Sequence, residues 1–73
     1  MNVWIARDYD GLCAFSERPV KYEGINPFDE DDFIWQSPNY STRYAELNPN
    51  LYPEVTIENS PVLMDINVVL KEQ

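Results

Sequence analysis

A chain of 73 residues with a net charge of −8 and no histidine has room for one domain, 1–73, and buries only about 60–65% of its unfolded surface, which leaves little space for a large internal cavity. Thirteen acidic residues against five basic ones argue against direct binding to nucleic acid or an anionic membrane, because neutralising phosphates needs a basic patch. No histidine and one cysteine exclude Cys-His and Ser-His-Asp catalysis, a disulfide within the chain and every histidine or multi-cysteine zinc site.

Val3 to Ser16 carries the most complete local instruction in the sequence. Two apolar runs flank Asp8-Tyr9-Asp10-Gly11, in which Asp supplies a side-chain acceptor to the turn and Gly takes a positive φ. This is a β-hairpin signal. A three-residue loop with Gly11 in the left-handed conformation pairs Asp8 with Leu12, Arg7 with Cys13, Ala6 with Ala14 and Ile5 with Phe15. One face then holds Val3, Ile5, Cys13 and Phe15, the other Trp4, Ala6, Leu12 and Ala14. Both are apolar, so one face takes the core and the other a covering segment or a partner.

Pro19 closes the second strand, and Val20-Lys21-Tyr22 reads as a short edge strand or extended connection that Gly24 ends. Residues 25–32 form a long loop, with Asn26-Pro27 as turn starter and four consecutive acids, Asp29, Glu30, Asp31 and Asp32. Phe33-Ile34-Trp35-Gln36 is short and aromatic, which predicts a central strand. Arg43–Leu47 returns as its hairpin partner. Asn48 to Pro53 allows at most one short helical turn near 49–52, with Asn48 as cap and Pro49 in first position, and with Leu51 and Tyr52 plugging one end of the core. Glu54–Ile57 reads as a short extended piece.

Val62 to Leu70 is the longest strand candidate, with Met64, Ile66, Val68 and Leu70 on one face, and pairs beside the N-terminal or the Trp35 strand. Six prolines divide the chain into pieces of strand length. The expected fold is therefore mostly β, a small antiparallel sheet of 4–5 strands.

The chemical candidates are few. Cys13 in an apolar strand is ordinarily a small buried hydrophobe. Asp29–Asp32 lacks the ligand alternation of a calcium loop, so a solvated charge run is the plainer reading and no metal or cofactor is expected. Asn39-Tyr40-Ser41 matches a glycosylation sequon, but nothing at the N-terminus resembles a secretory signal and the expected location is cytoplasmic. No apolar run reaches the roughly 20 residues that span a bilayer.

Partner binding is the stronger expectation. Trp4, Tyr22, Phe28, Trp35, Tyr40, Tyr44 and Tyr52 are more aromatics than a small core absorbs completely, and Trp and Tyr favour binding hot spots. Tyr22, Phe28 and Trp35 lie beside Glu23, Asp29, Glu30, Asp31 and Asp32, an apolar centre with a negative rim. The expectation is a non-enzymatic protein-interaction module with a basic protein partner, or a second copy of itself joined through an exposed strand. The alternative is an acidic inhibitor that imitates nucleic acid in the basic groove of a host defence or nucleic-acid-binding protein. An enzyme is not expected.

Trp4-Ile5-Ala6-Arg7-Asp8 with Asp10-Gly11, then Phe15-Ser16-Glu17 with Pro19, and later Tyr52-Pro53-Glu54-Val55-Thr56 with Glu58-Asn59-Ser60-Pro61 resemble a group of small uncharacterised proteins of bacterial genomes, phages and mobile elements. The resemblance touches both ends but little of 22–45. It implies no activity, cofactor or catalytic residue, and a phage-related role only modestly.

Overall fold

The computed structural model describes every residue except Ile25, Glu30 and Gln73. Among the described residues it is all-β, with seven strands: β1 Asn2–Asp8, β2 Gly11–Phe15, β3 Val20–Glu23, β4 Phe33–Gln36, β5 Arg43–Leu47, β6 Val62–Asp65 and β7 Lys71–Glu72. Five form one sheet in the order β6-β1-β2-β5-β7, and β3 with β4 forms a separate two-stranded sheet. All pairings are antiparallel.

The N-terminal hairpin folds as its turn residues dictate, with a register one residue away from the expected one. Asp8 Oδ1 accepts hydrogen bonds from the backbone N–H groups of Asp10 (2.9 Å) and Gly11 (3.1 Å), closing the turn through its own side chain. Gly11 has φ +148° and remains in the ladder opposite Asp8, so the loop is Tyr9-Asp10 alone. The pairs are Arg7–Leu12, Ala6–Cys13, Ile5–Ala14 and Trp4–Phe15. A one-residue slip changes which side chains share a face. Val3 and Ile5 therefore stand with Leu12 and Ala14, while Trp4 and Ala6 stand with Cys13 and Phe15.

The C-terminal run is shorter as a strand than expected, but its alternation persists. Only 62–65 and 71–72 are paired, and β1 is the longest strand, yet Val62, Met64, Ile66, Val68 and Leu70 are all half-buried against the core while Leu63, Asp65, Asn67 and Val69 are exposed. The run starts on β1 at one edge of the sheet and ends on β5 at the other. One segment thus bridges both edges. Between those edges its inward side chains Met64, Ile66, Val68 and Leu70 pack against the core.

Inside lie Val3, Ile5, Leu12, Ala14 and Val55, all 2% exposed or less. Val55 comes from 54–57, which is a run of turns and not the expected extended piece. Nor is 49–52 helical: Leu51 N–H donates to the Asn48 carbonyl (3.0 Å) and Asn50 N–H to Asn48 Oδ1 (2.9 Å), a β-turn held by its asparagine. Tyr52 packs on the core, whereas Leu51 is exposed.

Arg7 ties this segment to the sheet. Its Nε donates to the Val55 carbonyl (2.6 Å), Nη1 to that of Pro49 (2.8 Å), and Nη2 to those of Leu51 (3.1 Å) and Tyr52 (3.2 Å). The Arg7 backbone N–H also donates to Ser60 Oγ (2.8 Å). One planar fork thereby fixes four carbonyls that lie outside any ladder. Tyr52 has φ +50°, an unfavourable value for a residue with a side chain, and its carbonyl is among those held.

The opposite face is covered by β4, which is not a central strand and does not pair with β5. β4 pairs with β3, while β5 pairs with β2. Trp35 docks the small sheet onto the hairpin end. Its indole N–H donates to the Arg7 carbonyl (3.0 Å) and its backbone N–H to Asp8 Oδ2 (3.2 Å). Phe33, 4% exposed, meets Tyr9 and Trp35 edge-on with ring centroids 5.6 and 5.7 Å away. Trp4, on the same side of β1, lies under the Arg18 guanidinium at 5.1 Å. Both apolar faces of the hairpin are thus covered by the chain itself.

Candidate interaction surface

The β3–β4 hairpin carries the surface that the acidic run marks. Pro19 and Gly24 bound β3, and all four of its residues are exposed. The connecting loop is a succession of turns, each begun by a short polar side chain. Asn26 Oδ1 accepts from Phe28 N–H (2.9 Å) and the Asn26 carbonyl from Asp29 N–H (3.2 Å). Asp29 repeats the device, Oδ1 accepting from Asp31 N–H (3.0 Å) and its carbonyl from Asp32 N–H (3.3 Å). Pro27 sets φ inside the first turn, so Phe28 is held out at the tip, 96% exposed.

Of the residues that sequence marks for partner binding, Tyr22, Glu23, Phe28, Asp29 and Asp31 are exposed on this hairpin and its loop, and Asp32 is half-buried at its foot. Glu30 lies outside the described residues. Trp35 does not join them. Cross-strand partners share a face, so Trp35 stands with Lys21, and Tyr22 with Ile34 on the other side. Trp35 is a packing residue. Lys21 was not marked, yet its ammonium lies 4.3 Å from the centroid of the Phe33 ring and 3.7 Å from Glu23. The edge-strand signal between Pro19 and Gly24 was the clue to it.

Among the described residues, Asp29, Asp31 and Asp32 form no ion pair. Two ion pairs occur among the described residues, Lys21–Glu23 and the Met1 α-amino group with Asp65 at 2.7 Å, both exposed and so worth little. Also among the described residues, no three histidine, cysteine, aspartate or glutamate side chains group to hold a metal ion. No protein-family model matches the chain, and no curated protein or solved structure shows a significant match.

Two further polar positions are structural. Thr42, fully buried, donates from Oγ1 to Glu17 Oε2 (2.7 Å) beside the turn that Asn39 starts. Cys13 borders a cleft with Phe15, Trp35, Gln36, Ser37 and Tyr44. Burial first, then the charges of Asp8 and Glu46, push its thiol up to about 11. That is opposite to what an attacking thiolate needs.

Proposed function

We propose that the protein is a non-enzymatic interaction module that offers the β3–β4 hairpin and its acidic loop to a basic surface of another protein. The observation that carries this reading is Phe28, 96% exposed in a turn that Asn26, Pro27 and Asp29 fix. A free apolar side chain in a preset conformation loses little entropy on binding. Carboxylates on either side select a basic rim around the pocket that receives it. Leaving a phenylalanine in water serves no folding purpose, and a loop needed only for solubility would not position one.

The test is affinity capture of the tagged protein from a host lysate, read by mass spectrometry, beside two variants: Phe28→Ala, and joint neutralisation of Asp29, Glu30, Asp31 and Asp32 to their amides. A protein retained by the wild type and lost with either variant supports the reading. A set of retained proteins identical for all three overturns it. Added DNA separates the two forms of the proposal. A partner displaced by DNA favours imitation of nucleic acid in a basic groove, and one that survives both DNA and salt favours the apolar anchor.

A further inference from the structure

The free edge of β3 has a defined hydrogen-bonding pattern. In an antiparallel pair, opposite residues alternate between those that exchange backbone hydrogen bonds and those whose backbone groups point outward. Trp35 N–H turns away from β3 to donate to Asp8 Oδ2 (3.2 Å), so Lys21–Trp35 is an outward-pointing pair. By alternation Glu23–Phe33 is another, while Val20–Gln36 and Tyr22–Ile34 exchange bonds. The N–H and C=O groups of Lys21 and Glu23 therefore face the open edge. Among the described residues nothing pairs with them, since β3 has β4 as its one neighbour.

We propose that this edge is a homodimer interface in which β3 pairs antiparallel with β3 of a second copy, centred on Tyr22. A two-fold axis normal to the sheet makes the pairing antiparallel and self-complementary. Three centres bring the outward groups of both copies together, and two fail. Centring on Lys21 sets lysine against lysine and places Pro19, which has no N–H, opposite Glu23. Centring on Glu23 sets like charges against each other. Centring on Tyr22 places Lys21 opposite Glu23 of the second copy, twice. All four outward groups on each chain are then satisfied, by four backbone hydrogen bonds, and two cross-strand pairs carry opposite charge.

Side-chain geometry agrees with this register. Lys21 and Glu23 already share a face at 3.7 Å within one chain, so they exchange partners without turning over. Tyr22, 52% exposed, and Val20, 49% exposed, lie on the other face with Ile34. The two Tyr22 rings meet at the axis in a close non-hydrogen-bonded pair. The acidic loops follow Glu23 and so emerge at opposite ends of the four-stranded sheet, which keeps the densest negative charge of the two copies apart. The dimer presents two Phe28 loops, but the pairing does not depend on whether those loops bind a partner.

Sedimentation equilibrium of the purified full chain tests it. The wild type is expected to show a concentration-dependent monomer–dimer equilibrium. Lys21→Glu and Glu23→Lys, each alone, set like charges opposite each other twice and raise the dissociation constant by about tenfold or more. Mixed in equal amounts, these two variants restore opposite charges in both pairs and dimerise with each other. Both positions are exposed, and circular dichroism confirms that the variants fold. In a Cys13→Ser background, Tyr22→Cys is expected to oxidise to a disulfide-linked dimer. A wild type that stays monomeric at millimolar concentration overturns the proposal. So does a dimer that is indifferent to both charge reversals, or one whose mixed variants do not associate. Failure of the partner reading instead shows as unchanged capture in a lysate.

Discussion

Removing the Arg7 guanidinium should release 48–60 from the sheet, and the cost follows from the four hydrogen bonds it makes. Those to Val55 and Tyr52 are partly shielded from water, and those to Pro49 and Leu51 are exposed. A hydrogen bond from a charged donor contributes about 1.5–3 kcal/mol when shielded and much less when water competes for it. Arg7→Ala should therefore cost about 3–4 kcal/mol, a large part of the roughly 4–11 kcal/mol expected for a domain this size. Arg7→Lys keeps the charge but has no planar fork, so it should recover less than half of that loss. Urea unfolding followed by tryptophan fluorescence gives these differences. The sharper check is a double-mutant cycle with Val55→Ala. Val55 is fully buried, and truncating it alone should cost about 2–3 kcal/mol. If Arg7 is what seats the segment, Val55 is already partly withdrawn in Arg7→Ala, and the two losses should fall short of additive by at least about 1 kcal/mol. Additive losses, or an Arg7→Ala cost below about 1 kcal/mol, would refute the clamp.

Gly11→Ala meets no atom within 4 Å but forces a side chain onto φ +148°, so it should lower stability by about 1–2 kcal/mol without changing the fold, read as a shift in urea midpoint at constant m-value. Trp35→Phe removes the indole donor to the Arg7 carbonyl and should lower the melting temperature by several degrees, about 4–8 °C per kcal/mol in a domain this small. Phe28→Ala should leave stability within about 0.5 kcal/mol, so the two aromatic substitutions separate packing from display in one calorimetry series. With its thiol pushed up to about 11, Cys13 should react with an uncharged alkylating reagent at pH 8 some ten- to a hundredfold more slowly than a free cysteine peptide. The sign for stability follows from a raised value in the folded state. The Cys13 contribution is complete below the pH at which an unfolded thiol ionises and is lost as pH rises toward 11. Urea midpoints taken at increasing alkaline pH, compared with Cys13→Ser, isolate that loss.

What was legible in the sequence was local. Asp8 and Gly11 specify their turn by side-chain acceptor and backbone freedom: Asp8 accepts from the turn N–H groups and Gly11 takes a positive φ. The turn does not by itself fix register, because Gly11 takes its positive φ, +148°, while remaining in the ladder opposite Asp8, where a three-residue loop would leave it out. That single residue moved Cys13 and Phe15 to the face opposite Ile5. The alternation of 62–70 was readable, and β1 was one of the two neighbours it offered. Its unpaired middle was not, because the run leaves β1 after Asp65 and reaches β5 only at Lys71, a long-range crossing that alternation does not reveal. β5 beside β2 is a long-range choice between strands of similar composition, and nothing near Arg43–Leu47 names its neighbour. Val55 and Arg7 were the least legible. A valine among turn residues looks like surface, and an arginine in a strand looks like a solvated charge, until four carbonyls from forty residues away converge on it.

The candidate surface was legible for a physical reason that core positions do not share. A charge run and an exposed aromatic act through what is near them in sequence, because a loop of successive Asx turns is organised by its own side chains. Asn26 and Asp29 hold Phe28 in place without help from the sheet. Trp35 was misassigned to that surface because strand polarity alternates, and the residue beside an acidic loop points inward or outward according to a register that only β3 supplies. The same register exposes the backbone of Lys21 and Glu23, so the docking of Trp35 on Asp8 and the open edge of β3 have one cause. Substituting Asp8 by alanine removes the acceptor for Trp35 N–H and two turn bonds at once. If the open edge is set by that docking, Asp8→Ala should weaken β3-mediated self-association as well as stability, whereas Gly11→Ala should lower stability and leave association unchanged. Sedimentation of both variants at temperatures where each is folded distinguishes the two, and equal association by both would break the link between the docked tryptophan and the edge.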